Sequence, residues 1–178
     1  MKAVLINTIG EPKVLDIQNI PKPKITNDYE VLVRIKAASV NPIDIKLRAG
    51  DYALNNFPAI LGCDAAGIVD EVGSKVTKVK KGDHVYYFHG GLDGIQGNYA
   101  EYKLLNQRFI AKKPESINFI EAAAIPLVAI TAWESLFYHA KLTKNKSIYI
   151  NAGAGGVGHV AIQLAKYTEA VVSVSYTH

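Results

Sequence analysis

A single cysteine, Cys63, stands among the 178 residues of the sequence. One cysteine excludes an internal disulfide bond and a structural zinc lobe built from several cysteines, and it fits the reducing cytosol. Apolar runs do not approach the ~20 residues of a membrane-spanning helix. The opening segment, Met1–Ile6, is too short for the apolar core of a signal peptide. These shortages favour a cytoplasmic protein with no membrane association.

Neither sign of charge dominates the sequence. The 20 Lys and Arg residues face 16 Asp and Glu residues, which gives a formal net charge of +4. The basic residues are scattered, and the lysines between 75 and 81 are typical of a solvated turn rather than a nucleic-acid surface. We therefore expect no nucleic-acid partner. Apolar residues make up 49% of the chain, enough for one good core or two small ones.

The stretch from Ser147 to Tyr176 has the order strand, glycine turn, helix, strand. The first and last segments are rich in β-branched residues, as buried parallel strands are, and the third has apolar residues at helical spacing. This order predicts one βαβ unit, and it is the context that a G-x-G-x-x-G motif requires. The four segments are Ser147–Asn151, Ala152–Gly158, His159–Tyr167 and Val171–Ser175.

The glycine spacing indicates a dinucleotide site. In such a turn Gly153 permits the tight bend, Gly155 lets the backbone approach a pyrophosphate, and Gly158 allows close packing of helix on strand. Free N–H groups at the helix start favour a phosphate anion. A glycine turn without a ligand is the alternative. The predicted cofactor-binding residues of the turn are Gly153, Gly155, Gly156, Val157 and Gly158.

The end of the second strand distinguishes the two nicotinamide dinucleotides. NAD-binding proteins usually place Asp or Glu there, about 20 residues after the first glycine, to hold the ribose 2′-hydroxyl. This chain has Ser173, Ser175 and Tyr176, and no carboxylate from Val171 onward. Hydroxyls can donate to a 2′-phosphate, and no negative charge repels it. We predict NADPH, with Ser175 and Tyr176 among its contacts.

Two domains are predicted, 1–120 and 121–178. Residues up to about 115 contain many short strands with frequent turns, which suggest a small barrel, and helical periodicity begins near Asn118. A doubly wound domain normally has about six strands. The α/β part is therefore expected to be the beginning of a doubly wound parallel sheet, truncated, and the chain alone to be inactive. Predicted strands are 2–6, 14–20, 30–40, 65–72, 84–88, 98–105 and 109–111, with a short helix over 43–49.

Several motifs together resemble the medium-chain dehydrogenase/reductase superfamily, in its zinc-independent, quinone-oxidoreductase-like branch. Their order along the whole chain is far more specific than any one motif. The resemblance implies a GroES-like β-barrel domain, then a Rossmann domain, with the active site in the cleft between them. The matching segments are Ala38–Asp44, Gly62–Val69, Val79–Val85, Ala122–Leu127, Thr131–Trp133 and Gly153–Gly158.

The resemblance also implies that no zinc is bound. Zinc alcohol dehydrogenases of the superfamily have Cys where this chain has Asn41, and Gly-His-Glu where it has Gly62–Asp64. A catalytic zinc needs about three protein ligands, and an amide binds zinc weakly. His84 and His89 are more often surface or core residues than ligands. The expected metal is therefore none.

Roles for individual residues follow from the resemblance. Asn41 is expected to touch the nicotinamide end of the cofactor, and Thr131 to contact the cofactor as well. Tyr52 is the candidate hydrogen-bond donor to the substrate, although a packing role suits it equally. Lys46 is a weaker candidate in the cleft. Structural roles are expected for Asp44 at the helix start, for Cys63 as a small buried residue, and for Trp133 in the core.

These features together predict an NADPH-dependent, zinc-independent oxidoreductase that reduces a quinone or an α,β-unsaturated carbonyl by hydride transfer. The substrate is then a small carbonyl or quinone, and the full-length protein is expected to be a homo-oligomer. Two alternatives remain open: a zinc-dependent alcohol dehydrogenase of the same superfamily, and a non-catalytic truncated fragment.

Overall fold

The contacts of the chain divide it into two compact units, Met1–Pro126 and Leu127–His178. The structure is a computed structural model, and it describes residues 1–54 and 56–176. The helix Phe119–Ala123 falls in the first unit, where Ala122 and Ala123 are buried against Ala66. The contact boundary therefore lies after this helix, and the domain boundary at 120/121 stays a prediction.

Two antiparallel sheets make up the described part of the first unit. Their strands are β1 (Lys2–Ile6), β2 (Asp16–Asn19), β3 (Glu30–Ala38), β4 (Ala59–Ile60), β5 (Asp64–Val72), β6 (His84–Phe88), β7 (Tyr102–Asn106) and β8 (Ile110–Lys112). One sheet has the order β7-β3-β5-β6-β8, and the other has the order β2-β1-β4. In the second sheet β1 pairs with β4, which is distant in sequence, and Leu5 lies opposite Ile60.

Strand β3 shows why these residues form a sheet. Val31, Leu32 and Val33 are all buried, so the first half of the strand is covered on both faces. The predicted alternation appears only in the second half, where Arg34 and Lys36 are exposed and Ile35 and Ala37 are half-buried. Opposite β3, a Cβ on Gly67 of β5 would lie 2.4 Å from the carbonyl oxygen of Arg34. The two strands can therefore approach this closely only because position 67 is glycine.

Both helices of the first unit begin with a local capping interaction. Helix α1 (Pro42–Ala49) ends at Gly50, which has the left-handed conformation at φ 95°. In α2 (Phe119–Ala123) the Asn118 side chain accepts the Glu121 N–H at 2.9 Å, and the Glu121 carboxylate accepts the Asn118 N–H at 2.8 Å. The helix predicted over 43–49 is confirmed and begins one residue earlier, at Pro42, after the N-cap residue Asn41. The predicted start of helical structure near Asn118 is confirmed as well.

The second unit contains the predicted βαβ unit. Helix α3 (Pro126–Trp133) continues into a π-helical segment, Glu134–His139, and β9 (Ser147–Ile150), α4 (Gly156–Tyr167) and β10 (Val171–Val174) follow. Strands β9 and β10 are parallel, as two strands joined by a crossover helix are. Their core is formed by Leu136, Leu142, Ile150, Ala161 and Ala165.

Some sequence-based expectations are corrected by the fold. The strand predicted over 14–20 is confined to β2, because a 3₁₀ turn occupies Pro12–Val14. The strand predicted over 98–105 starts only at Tyr102. Trp133 was expected in the core but is 58% exposed, with its ring 4.5 Å from that of Phe137. Nowhere in residues 1–54 and 56–176 is a helix sufficiently long and apolar to cross a membrane.

Candidate functional site

The glycine turn of the second unit is bound by backbone hydrogen bonds to the ends of both strands. The N–H of Gly153 donates to the carbonyl oxygen of Ser175 at 2.7 Å. The N–H of Ser175 donates in turn to the carbonyl oxygen of Ile150 at 3.1 Å. The turn therefore lies where the carboxyl ends of two parallel strands meet, which is where open α/β sheets bind their ligands.

Close packing requires two of the glycines. A Cβ on Gly158 would lie 2.4 Å from the carbonyl oxygen of Ala152, and a Cβ on Gly153 would lie 2.2 Å from Cγ1 of Val174. At Gly155 the same atom would lie 3.3 Å from the Ala152 oxygen, which is tight but less restrictive. The left-handed residue of the turn is Ala152 (φ 54°), so Gly153 is needed for packing rather than for a positive φ.

The start of α4 offers free N–H groups to an anion. Gly155 is the N-cap residue, with extended backbone (φ −74°, ψ 165°) and no side chain to cap the helix. The first turn carries no acidic residue, so nothing there opposes an anion at the positive end of the helix dipole. A cavity of about 460 Å³ borders this turn and is lined in part by Ala152, Gly156 and Val157. Its size suits part of a small ligand.

The residues predicted to select the cofactor lie just after β10. Ser175 is half-buried and Tyr176 is 68% exposed, so its hydroxyl can reach a ligand from solvent. Thr131 lies in α3, where its hydroxyl donates to the carbonyl oxygen of Leu127 at 2.8 Å. Contacts of these three side chains with a cofactor stay predictions.

In the first unit, Asn41 belongs to a buried polar cluster. Its side-chain amide donates to Oγ of Ser39 and to Oδ2 of Asp64, both at 3.0 Å. Its backbone N–H donates to Oδ2 of Asp44 at 2.8 Å. Asp44 and Asp64 are 3% and 0% exposed, so these bonds replace the water that both carboxylates have lost.

Asp44 joins helix α1 to the segment that precedes β5. Its other oxygen, Oδ1, accepts the N–H of Gly62 at 3.0 Å and the thiol of Cys63 at 3.6 Å. The predicted structural role of Asp44 is therefore confirmed. Its carboxylate binds the helix start through Asn41 and also binds the segment before β5 through Gly62 and Cys63. Ser39, Asn41, Asp44, Cys63 and Asp64 form one polar cluster. Three of its members, Asn41, Cys63 and Asp64, stand where the resembling zinc enzymes have Cys, His and Glu.

The chemistry of the polar cluster does not fit a zinc ion. The Asn41 amide directs its N–H group, rather than a lone pair, toward Asp64. The Cys63 thiol donates to Asp44, and burial and the carboxylates of Asp44 and Asp64 raise its pKa far above the usual value, so it does not become the thiolate that zinc binds. Within residues 1–54 and 56–176, no group of three His, Cys, Asp or Glu side chains could hold a metal ion.

The Cys63 thiol is expected to be chemically inert in the folded protein. It is 0% exposed, as predicted for a small buried residue, and its raised pKa leaves almost no thiolate at neutral pH. Iodoacetamide at pH 8 should label less than about a tenth of the native chain in the time that labels it fully in denaturant. Intact-mass spectrometry measures this directly, because the chain has one cysteine. Equal labelling of native and denatured chain would contradict the burial.

Tyr52 lies on the surface of the first unit. Its side chain is 51% exposed, and Nζ of Lys46 lies 5.6 Å above its ring centroid, within reach of a cation–π interaction. A half-exposed phenol is free to donate a hydrogen bond to a ligand. The catalytic roles assigned to Tyr52 and Asn41 stay predictions.

Sequence reasoning missed several polar residues next to the polar cluster. Asn98, 0% exposed, donates from its side chain to the carbonyl oxygens of Gly62 and His89, at 2.9 Å each. Burial, with the charges of Lys103 and Arg108, lowers the pKa of His89 to about 4. The sequence placed Asn98 and Lys103 only in the strand predicted over 98–105 and gave His89 no role in a site. Lys103 and Leu105 lie two residues apart in a strand and therefore share a face, and this spacing was the only sign in the sequence that Lys103 is buried.

Comparison with known proteins identifies the class. Residues 27–115 match the family described as the alcohol dehydrogenase GroES-like domain. A 2-methylene-furan-3-one reductase of Solanum lycopersicum is 40% identical over 184 residues, covering 99% of this chain and 47% of that protein. The chain belongs to the alcohol dehydrogenase GroES-like domain family, within the medium-chain dehydrogenase/reductase superfamily.

Solved structures agree with this assignment. An alcohol dehydrogenase superfamily protein from Novosphingobium aromaticivorans has a TM-score of 0.94 and 37% identity, with 100% of this chain and 54% of that one covered. The Escherichia coli quinone oxidoreductase complexed with NADPH has a TM-score of 0.85 and 32% identity, with 98% and 52% covered. The chain thus spans about half the length of the proteins that it matches.

Proposed function

We propose that the protein is an NADPH-dependent, zinc-independent oxidoreductase that reduces a quinone or an α,β-unsaturated carbonyl compound by hydride transfer. The observation that carries the proposal is the glycine turn, in which the helix start approaches the strands so closely that Gly158 admits no Cβ. Relatives named as a furanone reductase and as an NADPH-bound quinone oxidoreductase support the reaction class.

The chain's own residues would hold the cofactor at its phosphates. The free N–H groups of Gly156, Val157 and Gly158 would donate to the pyrophosphate, and Gly155 would allow the backbone to approach it. The hydroxyls of Ser175 and Tyr176 would donate to the 2′-phosphate. NADPH, when bound, supplies the hydride.

Polarisation of the substrate carbonyl would fall to protein hydrogen bonds. Negative charge develops on the oxygen as the hydride arrives, and a donor placed there lowers the barrier. Tyr52 has an exposed phenol that can donate, and Asn41 is held rigidly by Asp64 and Asp44. We propose Tyr52 as this donor and Asn41, with Thr131, as contacts of the cofactor.

The reaction is tested on a longer protein, in which this chain is extended to the length of the relatives that it matches, after removal of metals. Purified protein treated with a strong chelator should oxidise NADPH in the presence of methyl vinyl ketone or 1,4-benzoquinone, as followed by the absorbance of NADPH. Undiminished turnover supports a zinc-independent reductase. Turnover that is lost on chelation and restored by zinc would favour a zinc-dependent alcohol dehydrogenase. No oxidation and no nucleotide binding would favour a non-catalytic fragment.

Homo-oligomerisation and a cytoplasmic location of the protein stay predictions.

Cofactor preference should reverse when a carboxylate is placed after β10. In Ser175→Asp the new charge repels a 2′-phosphate and accepts from a 2′-hydroxyl, so the affinity for NADPH should fall at least about tenfold while that for NADH is kept or rises. Fluorescence titration of both nucleotides against the longer protein measures the ratio. Ser147→Asp adds the same charge at the opposite end of the sheet, at the start of β9, and should leave the ratio unchanged. An unaltered ratio in Ser175→Asp would contradict the role of Ser175.

A further inference from the structure

The first unit contains a second cavity, separate from the polar cluster. Its volume is about 340 Å³, and residues of β1, β4 and β7 contribute to its walls. Neither Asn41 nor Tyr52 lines it. The wall is mainly aliphatic and proline-rich, and cavities of this size and character commonly hold small molecules. The apolar lining residues include Leu5, Ile20, Pro21, Pro58, Ile60 and Leu104.

Two cationic groups border this apolar cavity: the side chain of Lys103 in β7, and the N-terminal ammonium of Met1, which donates to the carbonyl oxygen of Ile20 at 2.7 Å. Lys103 is only 5% exposed, and its ammonium group donates to the carbonyl oxygen of Gln96, another lining residue. The Lys103 ammonium is enclosed on another side by Gly90, where a Cβ would lie 2.7 Å from Nζ. An ammonium has three donors, so a single carbonyl leaves donor capacity available.

No carboxylate compensates the charge of Lys103 in the described part of the chain. The ion pairs there join surface residues, for example Lys22 with Asp70 at 2.6 Å, and none of them includes Lys103. Burial alone lowers the pKa of Lys103, to about 8, so most molecules are still protonated at neutral pH. A buried and unpaired cation is unfavourable, and a bound anion removes that cost.

We propose that this cavity binds a small amphipathic carboxylate, whose carboxylate accepts hydrogen bonds from Lys103 and whose apolar body lies on the aliphatic wall. A charge-assisted hydrogen bond in a water-poor site is stronger than a neutral one. An uncharged molecule of the same shape contacts the aliphatic wall but leaves the Lys103 ammonium without an anionic partner. A cationic molecule is repelled by the ammonium. The site therefore selects an anion with an apolar body.

The proposal stands apart from the reductase activity. The lining residues do not include the glycine turn, and the nucleotide contacts proposed above lie in the other unit. Loss of carboxylate binding would leave nucleotide binding unchanged, so the two proposals fail separately.

Calorimetric titration of this chain with octanoate and with 1-octanol tests the selectivity. Octanoate should bind about tenfold or more tightly than 1-octanol, which has the same chain length and no charge. In Lys103→Met, which keeps the length of the side chain, removes the Lys103 ammonium and leaves that of Met1 in place, this preference should fall at least about threefold. Lys36→Met removes one positive charge from an exposed position of β3 and should keep the preference. Equal binding of the two probes to the native chain, no octanoate binding, or an unchanged preference in Lys103→Met would each overturn the proposal.

Titration of the native chain provides a second measurement that needs no variant. The ε-carbon resonance of Lys103 should report a higher pKa when octanoate is bound, because a carboxylate favours the protonated amine. Octanoate affinity should accordingly fall as the pH rises through about 8, the pKa of Lys103 in the free chain. His89, which is near Lys103 and Arg108, has a pKa of about 4 and stays neutral in this range. Met1 and Tyr102 also line the cavity, so the resonance of Lys103 itself is the decisive readout. An unshifted Lys103 resonance at saturating octanoate would also overturn the proposal.

Discussion

Gly158→Ala should abolish nucleotide binding and loosen the second unit. The new methyl group would lie 2.4 Å from the carbonyl oxygen of Ala152 and 2.9 Å from Cα of Gly153, and neither backbone atom can move without opening the turn. Overpacking against backbone costs about 2 kcal/mol or more. The displaced helix start would no longer present its N–H groups together, so the affinity for a dinucleotide should fall at least about tenfold.

Two measurements separate the packing effect from the binding effect. Hydrogen exchange of the α4 amides should accelerate in Gly158→Ala, and nicotinamide fluorescence should report the lost affinity. Gly82→Ala is the matched control, since Gly82 has φ 90° but no atom within 4 Å of a new Cβ. It should cost about 1 kcal/mol through backbone strain in the first unit and leave nucleotide affinity intact. Native-like exchange and affinity in Gly158→Ala would contradict the geometry of the turn.

Asp44→Ala should be among the most destabilising single changes in the first unit. The substitution leaves the N–H of Asn41, the N–H of Gly62 and the thiol of Cys63 without their acceptor in a buried site. Unsatisfied buried donors cost about 1–3 kcal/mol each, and removal of one buried carboxylate offsets part of this loss. We expect the free energy of unfolding to fall by about 3 kcal/mol.

Urea unfolding followed by circular dichroism measures the effect of Asp44→Ala. Asp44→Asn keeps one acceptor oxygen and should lie between the alanine variant and the native chain. Asp51→Ala removes an exposed carboxylate just beyond the same helix and should change the stability by less than about 0.5 kcal/mol. If Asp44→Ala unfolds at the same urea concentration as Asp51→Ala, the polar cluster does not contribute as described.

Local patterns explain why so much of the fold could be predicted. The capping pairs Asn41–Asp44 and Asn118–Glu121 lie three residues apart, so their sequence alone sets the helix start. The alternation in the second half of β3 identifies its half-buried face for the same reason. The βαβ unit combines a strand, a glycine turn and a helix within 30 residues, and each part restricts its neighbours.

Long-range features could not be predicted, because they depend on which segments meet. Nothing local in Leu5 indicates pairing with Ile60, and nothing local in Lys103 indicates that its side chain is buried beside a cavity. The left-handed conformation at Ala152 follows from the path between β9 and α4, although Gly153 was the residue expected to provide the bend. Trp133 is exposed although tryptophan is buried in most proteins, because its exposure depends on which segments pack around it.

Parallel titration of NADPH and NADH, followed by nicotinamide fluorescence, tests the central claim most directly. It should be made on this chain and on the longer protein. We expect the longer protein to bind NADPH at least about tenfold more tightly than NADH, because Ser175 and Tyr176 offer donors directly after β10 and no carboxylate stands between Val171 and Tyr176. Equal or preferential binding of NADH would contradict the choice of cofactor. Binding of neither nucleotide by either form would contradict the dinucleotide site itself.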